Sequence, residues 1–83
     1  MLVVLRKLGR GSREVTGRLV RFPKPGSTIV IRFSDGLHEY VTTPVQRVLR
    51  IARGDVFFIE TTNSRYKLEI CASAEDLEGA SSG

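Results

Sequence analysis

Three tight-turn signals separate short β-rich runs and constrain the fold of this chain more than any other feature. They are Asp35-Gly36, Gly54-Asp55 and Asn63-Ser64. A two-residue connection containing Asn, Asp or Gly adopts the positive φ angles that match the twist of antiparallel strands. The 83 residues are enough for one small domain. The sequence therefore predicts a single all-β domain built from hairpins.

The runs between these signals define the expected strands. Alternation is clearest in residues 28–33, where Ile29, Ile31 and Phe33 share one face. Residues 45–52 fit either a helical turn after Pro44 or a strand, and we favour a short turn that becomes a strand. Other strands are predicted at residues 2–8, 15–22, 37–43, 56–62 and 65–71. Counted as five to six strands joined by short turns, with residues 45–52 ambiguous, these runs favour an SH3-like antiparallel barrel over residues 1–71, because closure removes exposed edges.

Two details of the strands carry their own expectations. Arg21 falls on the same face as Leu19, so we expect the second strand to bend or bulge near Gly17. Residues 72–83 are small and acidic, with one large apolar side chain. Such a segment buries too little surface to offset its ordering entropy, so we predict a disordered tail.

Two short segments carry a resemblance to known proteins. They are Val41-Thr-Thr-Pro-Val45 and Thr61-Thr-Asn-Ser-Arg-Tyr66. Over residues 28–70 the chain resembles small uncharacterised bacterial SH3-like barrel proteins, in which a Thr-(Ser/Thr)-Pro-Val element precedes a hairpin ending in Asn-Ser-x-Tyr. The resemblance implies an SH3-like fold and carries no activity with it.

The charge of the chain is unevenly distributed. Its 13 Lys and Arg residues all precede residue 72, whereas three of its 9 acidic residues follow it. Arginine suits bidentate phosphate contacts, and a basic patch attracts polyanions. We therefore predict a module that binds DNA or RNA with little sequence specificity. The residues expected to contact phosphates are Arg6, Lys7, Arg10, Arg13, Arg18, Arg21 and Lys24.

The alternative hypothesis is a protein-binding adaptor. SH3-like barrels often bind peptides in aromatic grooves, and Tyr40, Phe58 and Tyr66 are the candidate residues. One of Phe57 and Phe58 must face outward if their strand alternates. Both tyrosines also fit a core position with the hydroxyl at the surface. A monomer or a homodimer is compatible with either hypothesis.

Catalytic groups are scarce in this sequence. His38 is the single histidine and is expected at the surface beside a turn, while Cys71 is the single cysteine and is expected to be buried. One His and one Cys cannot complete a tetrahedral metal site. We therefore predict no enzymatic activity, no metal and no cofactor.

The compartment follows from the cysteine count and the hydropathy pattern. One cysteine excludes an intrachain disulfide, and no run approaches the ~20 apolar residues that span a membrane. The apolar residues 1–5 precede Arg6 and Lys7, which reverses the order of a secretory signal. A cytoplasmic protein without membrane association is expected.

Overall fold

The computed structural model describes residues 1–51 and 54–72, and within them the chain forms seven strands and no helix. The strands are β1 (Leu2–Lys7), β2 (Arg13–Leu19), β3 (Val30–Arg32), β4 (Glu39–Val41), β5 (Val45–Ile51), β6 (Val56–Thr61) and β7 (Arg65–Ala72). The all-β prediction is confirmed. The ambiguous run after Pro44 is a strand over Val45–Ile51, so neither the expected short turn nor a helical turn begins it; residue 52 lies outside the described residues. Of the predicted disordered tail, residues 72–83, Ala72 is the last residue of β7, and the rest lies outside the described residues.

All strands belong to one antiparallel sheet with the order β4-β3-β2-β1-β7-β6-β5. The predicted barrel of five to six strands is wrong, because there are seven strands and β4 and β5 remain as unpaired edges. β4 has three residues, and Pro44, which has no amide hydrogen, precedes β5. At the start of β5, Val45 approaches the turn before β3: its amide donates to the Ser27 carbonyl, and its carbonyl accepts from the Gly26 amide, both at 2.8 Å.

Alternate residues of the central strands face the core. We call this side of the sheet the core face and the opposite side the outer face. The buried side chains are Val3, Leu5, Val15, Leu19, Ile29, Ile31, Val45, Phe57, Ile59, Tyr66 and Leu68. Because side chains alternate along a strand, the intervening residues Arg6, Glu14 and Lys67 lie on the outer face.

Of the predicted bend or bulge near Gly17, the bulge is absent from β2. Its pairing with β1 runs without a register shift from Arg18 to Arg13, and the strand ends at Leu19, before Arg21. Gly17 instead permits a close approach of β3, because an added Cβ atom would lie 2.5 Å from the carbonyl oxygen of Arg32.

The three predicted turns each join neighbouring strands, which confirms the hairpin interpretation. In the first, the Asp35 carboxylate accepts the amide hydrogens of Leu37 and His38 at 2.8 and 3.1 Å, and Gly36 has a φ of 70°. The His38 ring lies 2.6 Å from Asp35, and this hydrogen bond, followed by those two amides, lowers the pKa of Asp35. Among the described residues there is no helix long and apolar enough to cross a membrane.

Candidate nucleic-acid interface

The seven predicted phosphate-contacting residues do not form one ribbon. β1 and β2 pair as a hairpin, with Arg6 opposite Glu14 and Lys7 opposite Arg13. These two rows face opposite sides of the sheet. The remaining four residues are also dispersed: Arg10 lies in the β1–β2 connection, Arg18 on the outer face, and Arg21 and Lys24 in the connection to β3.

Arg6 is neutralised by its cross-strand neighbour. Its Nη2 and Nε atoms donate to Glu14 Oε2 at 2.6 and 3.1 Å, and this hydrogen bond is the main cause that raises the pKa of Arg6. Three similar pairs join Arg32 to Glu39 at 3.1 Å, Lys67 to Glu69 at 3.3 Å and Arg47 to Glu60 at 3.9 Å. The other six predicted residues have no carboxylate within 4 Å among residues 1–51 and 54–72.

Three basic residues lie at the end of the sheet where β1 and β6 end. Lys7, Arg10 and Arg65 line a depression of about 490 Å³, which we call the polar groove. The β6–β7 turn contributes polar side chains to its wall, and Glu60 contributes a carboxylate. The polar groove therefore offers three positive charges and several hydrogen-bonding groups to an anion.

Arg65 is the residue that the sequence analysis missed. The Leu8 amide donates to the Arg65 carbonyl at 2.9 Å, which extends the pairing of the first strand with the last. No local signal predicts that Leu8 and Arg65, 57 positions apart, become neighbours. Arg65 was therefore not among the residues predicted to contact phosphates.

A second depression, of about 270 Å³, lies beside the polar groove, and we call it the apolar groove. Leu8, Leu49 and Phe58 line it, and they are 37%, 48% and 39% exposed. Arg47 and Arg65 also line it. Phe57 is 2% exposed, which confirms that one of the two adjacent phenylalanines faces outward. The two grooves share Leu8, Glu60 and Arg65 and therefore form one continuous surface.

The aromatic residues of the adaptor hypothesis lie in different surroundings. Tyr66 is buried, and its hydroxyl oxygen lies 3.2 Å from that of the half-buried Tyr40. Burial, followed by this hydrogen bond, raises the pKa of Tyr66 to about 12. The Arg13 guanidinium carbon lies 5.1 Å from the Tyr40 ring centroid, within the range of a cation–π contact. Phe58 points to the outer face and lines the apolar groove, as Tyr66 also does, but Tyr40 lies outside it, so the three residues do not line a common groove.

The two candidate catalytic side chains are both at the surface. His38 is exposed, as predicted, and contacts Asp35. The prediction of a buried Cys71 is wrong: the thiol is exposed, because alternation along β7 places it with Lys67 and Glu69 rather than with Leu68. Within the described part of the chain, no group of three or more His, Cys, Asp or Glu residues is arranged to hold a metal ion.

Comparison with known proteins does not extend this description. No protein-family model, curated protein sequence or solved structure matches the chain, so its resemblance to the bacterial SH3-like proteins stays a prediction.

Proposed function

We propose that this chain is a non-catalytic module that binds DNA or RNA through phosphate contacts, with little sequence specificity. One observation carries the proposal: Lys7, Arg10 and Arg65 line the polar groove, and none of them is paired with a carboxylate among the described residues. Unpaired cations in a depression raise the local concentration of polyanions. Phosphate contacts position a nucleic acid without reading its bases, so the binding is weak and sensitive to salt.

The number of cations gives an expected salt dependence. Each neutralised phosphate of a single strand contributes about 0.7 to the slope of log affinity against log salt concentration, and of a duplex about 0.9. Three contacts in the polar groove therefore predict a slope between about −2 and −3. Arg13, Arg18, Arg21 and Lys24 supply a more distant positive field that steers the ligand toward the groove.

The adaptor hypothesis has less support from the geometry. A peptide groove using Tyr40, Phe58 and Tyr66 requires aromatic faces that a partner can reach, and Tyr66 is 5% exposed. The adaptor predicts that Tyr66→Ala abolishes capture of a partner while charge removal has little effect. The nucleic-acid proposal predicts the opposite ranking.

The further expectations from the sequence also remain proposals. They are a cytoplasmic location, the absence of a cofactor, and a monomer or homodimer. The two segments behind the SH3-like resemblance do contact each other: the Thr62 amide donates to the Pro44 carbonyl at 3.1 Å, and the Asn63 amide to Thr43 Oγ1 at 3.4 Å. This contact gives the two motifs a common role in joining β5 to the β6–β7 turn.

A matched pair of variants tests the proposal. Lys7→Ala/Arg10→Ala/Arg65→Ala removes three cations from the polar groove, and Arg6→Ala/Arg32→Ala/Lys67→Ala removes three paired cations from the outer face. Net charge falls equally in both. Titration of labelled oligonucleotides at low and moderate salt should show a large loss of affinity in the first variant only. Equal losses of affinity in the two variants would refute the polar groove as the binding site. Absence of binding by the wild type at low salt would refute the proposed nucleic-acid binding.

A further inference from the structure

The apolar groove beside the polar groove bears on the kind of nucleic acid that is bound. We propose that the ligand is single-stranded, that a base stacks on Phe58, and that the neighbouring phosphates lie in the polar groove. This inference rests on the proposed function and adds a ligand class and a stacking residue to it.

Phe58 has the position that a stacking residue requires. Its neighbour in β5 is Leu49, opposite it in register, and both side chains project from the outer face. Adjacent strands lie about 4.8 Å apart, so the two side chains form a continuous apolar surface. A nucleobase offers a flat π face to such a surface, and this contact is tolerant of sequence because every base has one.

The charges around Phe58 distinguish this surface from an ordinary apolar contact site. Arg47 and Arg65 line the apolar groove together with Phe58, and Arg65 also lines the polar groove with Lys7 and Arg10. A strand with a base on Phe58 therefore has its backbone beside Arg65 and continues toward Arg10. Alternation of an aromatic platform with cations is the arrangement that binds single-stranded nucleic acid.

A duplex does not use both grooves. The faces of its bases are stacked within the helix, so only their edges and the phosphates are accessible. Phe58 belongs to a strand within the sheet and is about 60% buried, so it has no means of entering between base pairs. A duplex therefore binds through phosphate contacts alone. A substitution of Phe58 should change the affinity for a single strand and not the affinity for a duplex.

Substitutions at Phe58 test the inference. The probes are a labelled single-stranded oligonucleotide, its duplex with the complement, and the single strand carrying 2-aminopurine. Phe58→Ala is expected to weaken single-strand binding by about five- to 150-fold, the range for loss of one stacked base, and to leave duplex affinity unchanged. Phe58→Tyr keeps the π face and should retain affinity. Leu37→Ala, which removes an exposed apolar side chain outside both grooves, is the control.

The outcomes separate this inference from the proposed function. Loss of single-strand affinity with reduced 2-aminopurine quenching in Phe58→Ala supports stacking. An unchanged single-strand affinity, or equal losses for single strand and duplex, overturns the stacking inference and leaves phosphate binding intact. Absence of binding of either probe by the wild type at low salt overturns the proposed function as well. Thermal unfolding of each variant establishes that it is folded.

Discussion

The hydroxyl oxygens of Tyr40 and Tyr66 lie 3.2 Å apart, although three strands separate β4 from β7 in the sheet. Strands of a flat sheet in these positions would be almost 20 Å apart. The sheet therefore curls strongly enough to bring the side chain of the edge strand β4 against that of β7. The contact joins β4 to β7 across the core face without a hydrogen-bonded ladder between the two strands.

The ionisation of Tyr66 should couple this contact to stability at alkaline pH. Its pKa rises from 10.0 to about 12 on folding, so the unfolded chain releases the phenolic proton first. The contribution to stability is complete below pH 10 and is lost as the pH rises toward 12. We expect the free energy of unfolding to fall more steeply above pH 10 in the wild type than in Tyr66→Phe, when measured by urea unfolding at several pH values.

A spectroscopic titration checks the same prediction directly. In Tyr40→Phe, Tyr66 is the only phenol of the chain, and its phenolate absorbs near 295 nm. Burial is the larger cause of the shift, so the pKa should remain above 10 even without the Tyr40 hydroxyl. Titration of the folded variant at the pKa of free tyrosine would contradict the prediction.

Gly17→Ala should destabilise the fold through a backbone clash. The added Cβ atom would lie 2.5 Å from the Arg32 carbonyl oxygen and 2.8 Å from Ile31 Cγ2, so β2 and β3 would have to separate. We expect a loss of about 2–3 kcal/mol in unfolding free energy. Gly9→Ala is the control, because a Cβ atom added at Gly9 would meet no atom within 4 Å, although φ is 90°. Its loss of unfolding free energy, about 1 kcal/mol, therefore comes from backbone strain alone. Equal costs for the two variants would argue against the close approach.

The local elements of this fold were predictable, whereas the long-range pairings were not. Asp35-Gly36 and the alternation of Ile29 and Ile31 indicate turns and core faces, because these signals depend on a few adjacent residues. The pairing of β1 with β7 depends on a contact across most of the chain. That pairing brings Arg65 beside Leu8, so the interface could be predicted only in part.

Whether the curled sheet closes into a barrel could not be predicted from the sequence either. Short strands and tight turns indicate that a sheet curls, but the ladder at the final edge depends on strand length and register. β3 and β4 have three residues each, and among the described residues Val45 alone pairs with the Gly26–Ser27 turn by backbone hydrogen bonds. A barrel and an open curled sheet therefore share the same local sequence signals.

Arg6 and Arg10 should differ in their effect on nucleic-acid binding. The Arg6 guanidinium is held by Glu14, whereas Arg10 lines the polar groove. Arg10→Ala should reduce the magnitude of the salt slope by about 0.7 for a single strand, the value of one phosphate contact, and Arg6→Ala should leave it unchanged. Affinities measured over a series of salt concentrations give both slopes. An equal reduction in the two variants would show that net charge matters rather than position.

Glu60→Gln should tighten the binding of an oligonucleotide. Glu60 lines both grooves, and its carboxylate lies 3.9 Å from the Arg47 guanidinium. Removing this charge relieves repulsion of phosphates and releases Arg47. We expect a two- to fivefold gain in affinity at low salt, about the size of an exposed charge interaction. Glu39→Gln, which removes a paired carboxylate outside both grooves, is the control and should change the affinity less.

Removal of residues 73–83 should also tighten nucleic-acid binding, for a reason that depends on charge alone. The segment contains Glu75, Asp76 and Glu78 and no basic residue, so its deletion raises the net charge from +4 to +7. Repulsion between these carboxylates and phosphates is screened by salt, and the gain in affinity should therefore be largest at low ionic strength. The control is the full-length variant Glu75→Gln/Asp76→Asn/Glu78→Gln, which should bind as tightly as the deletion. A gain in the deletion alone would mean that the segment obstructs the ligand by its bulk, and an equal affinity of all three proteins would exclude any influence of its charge.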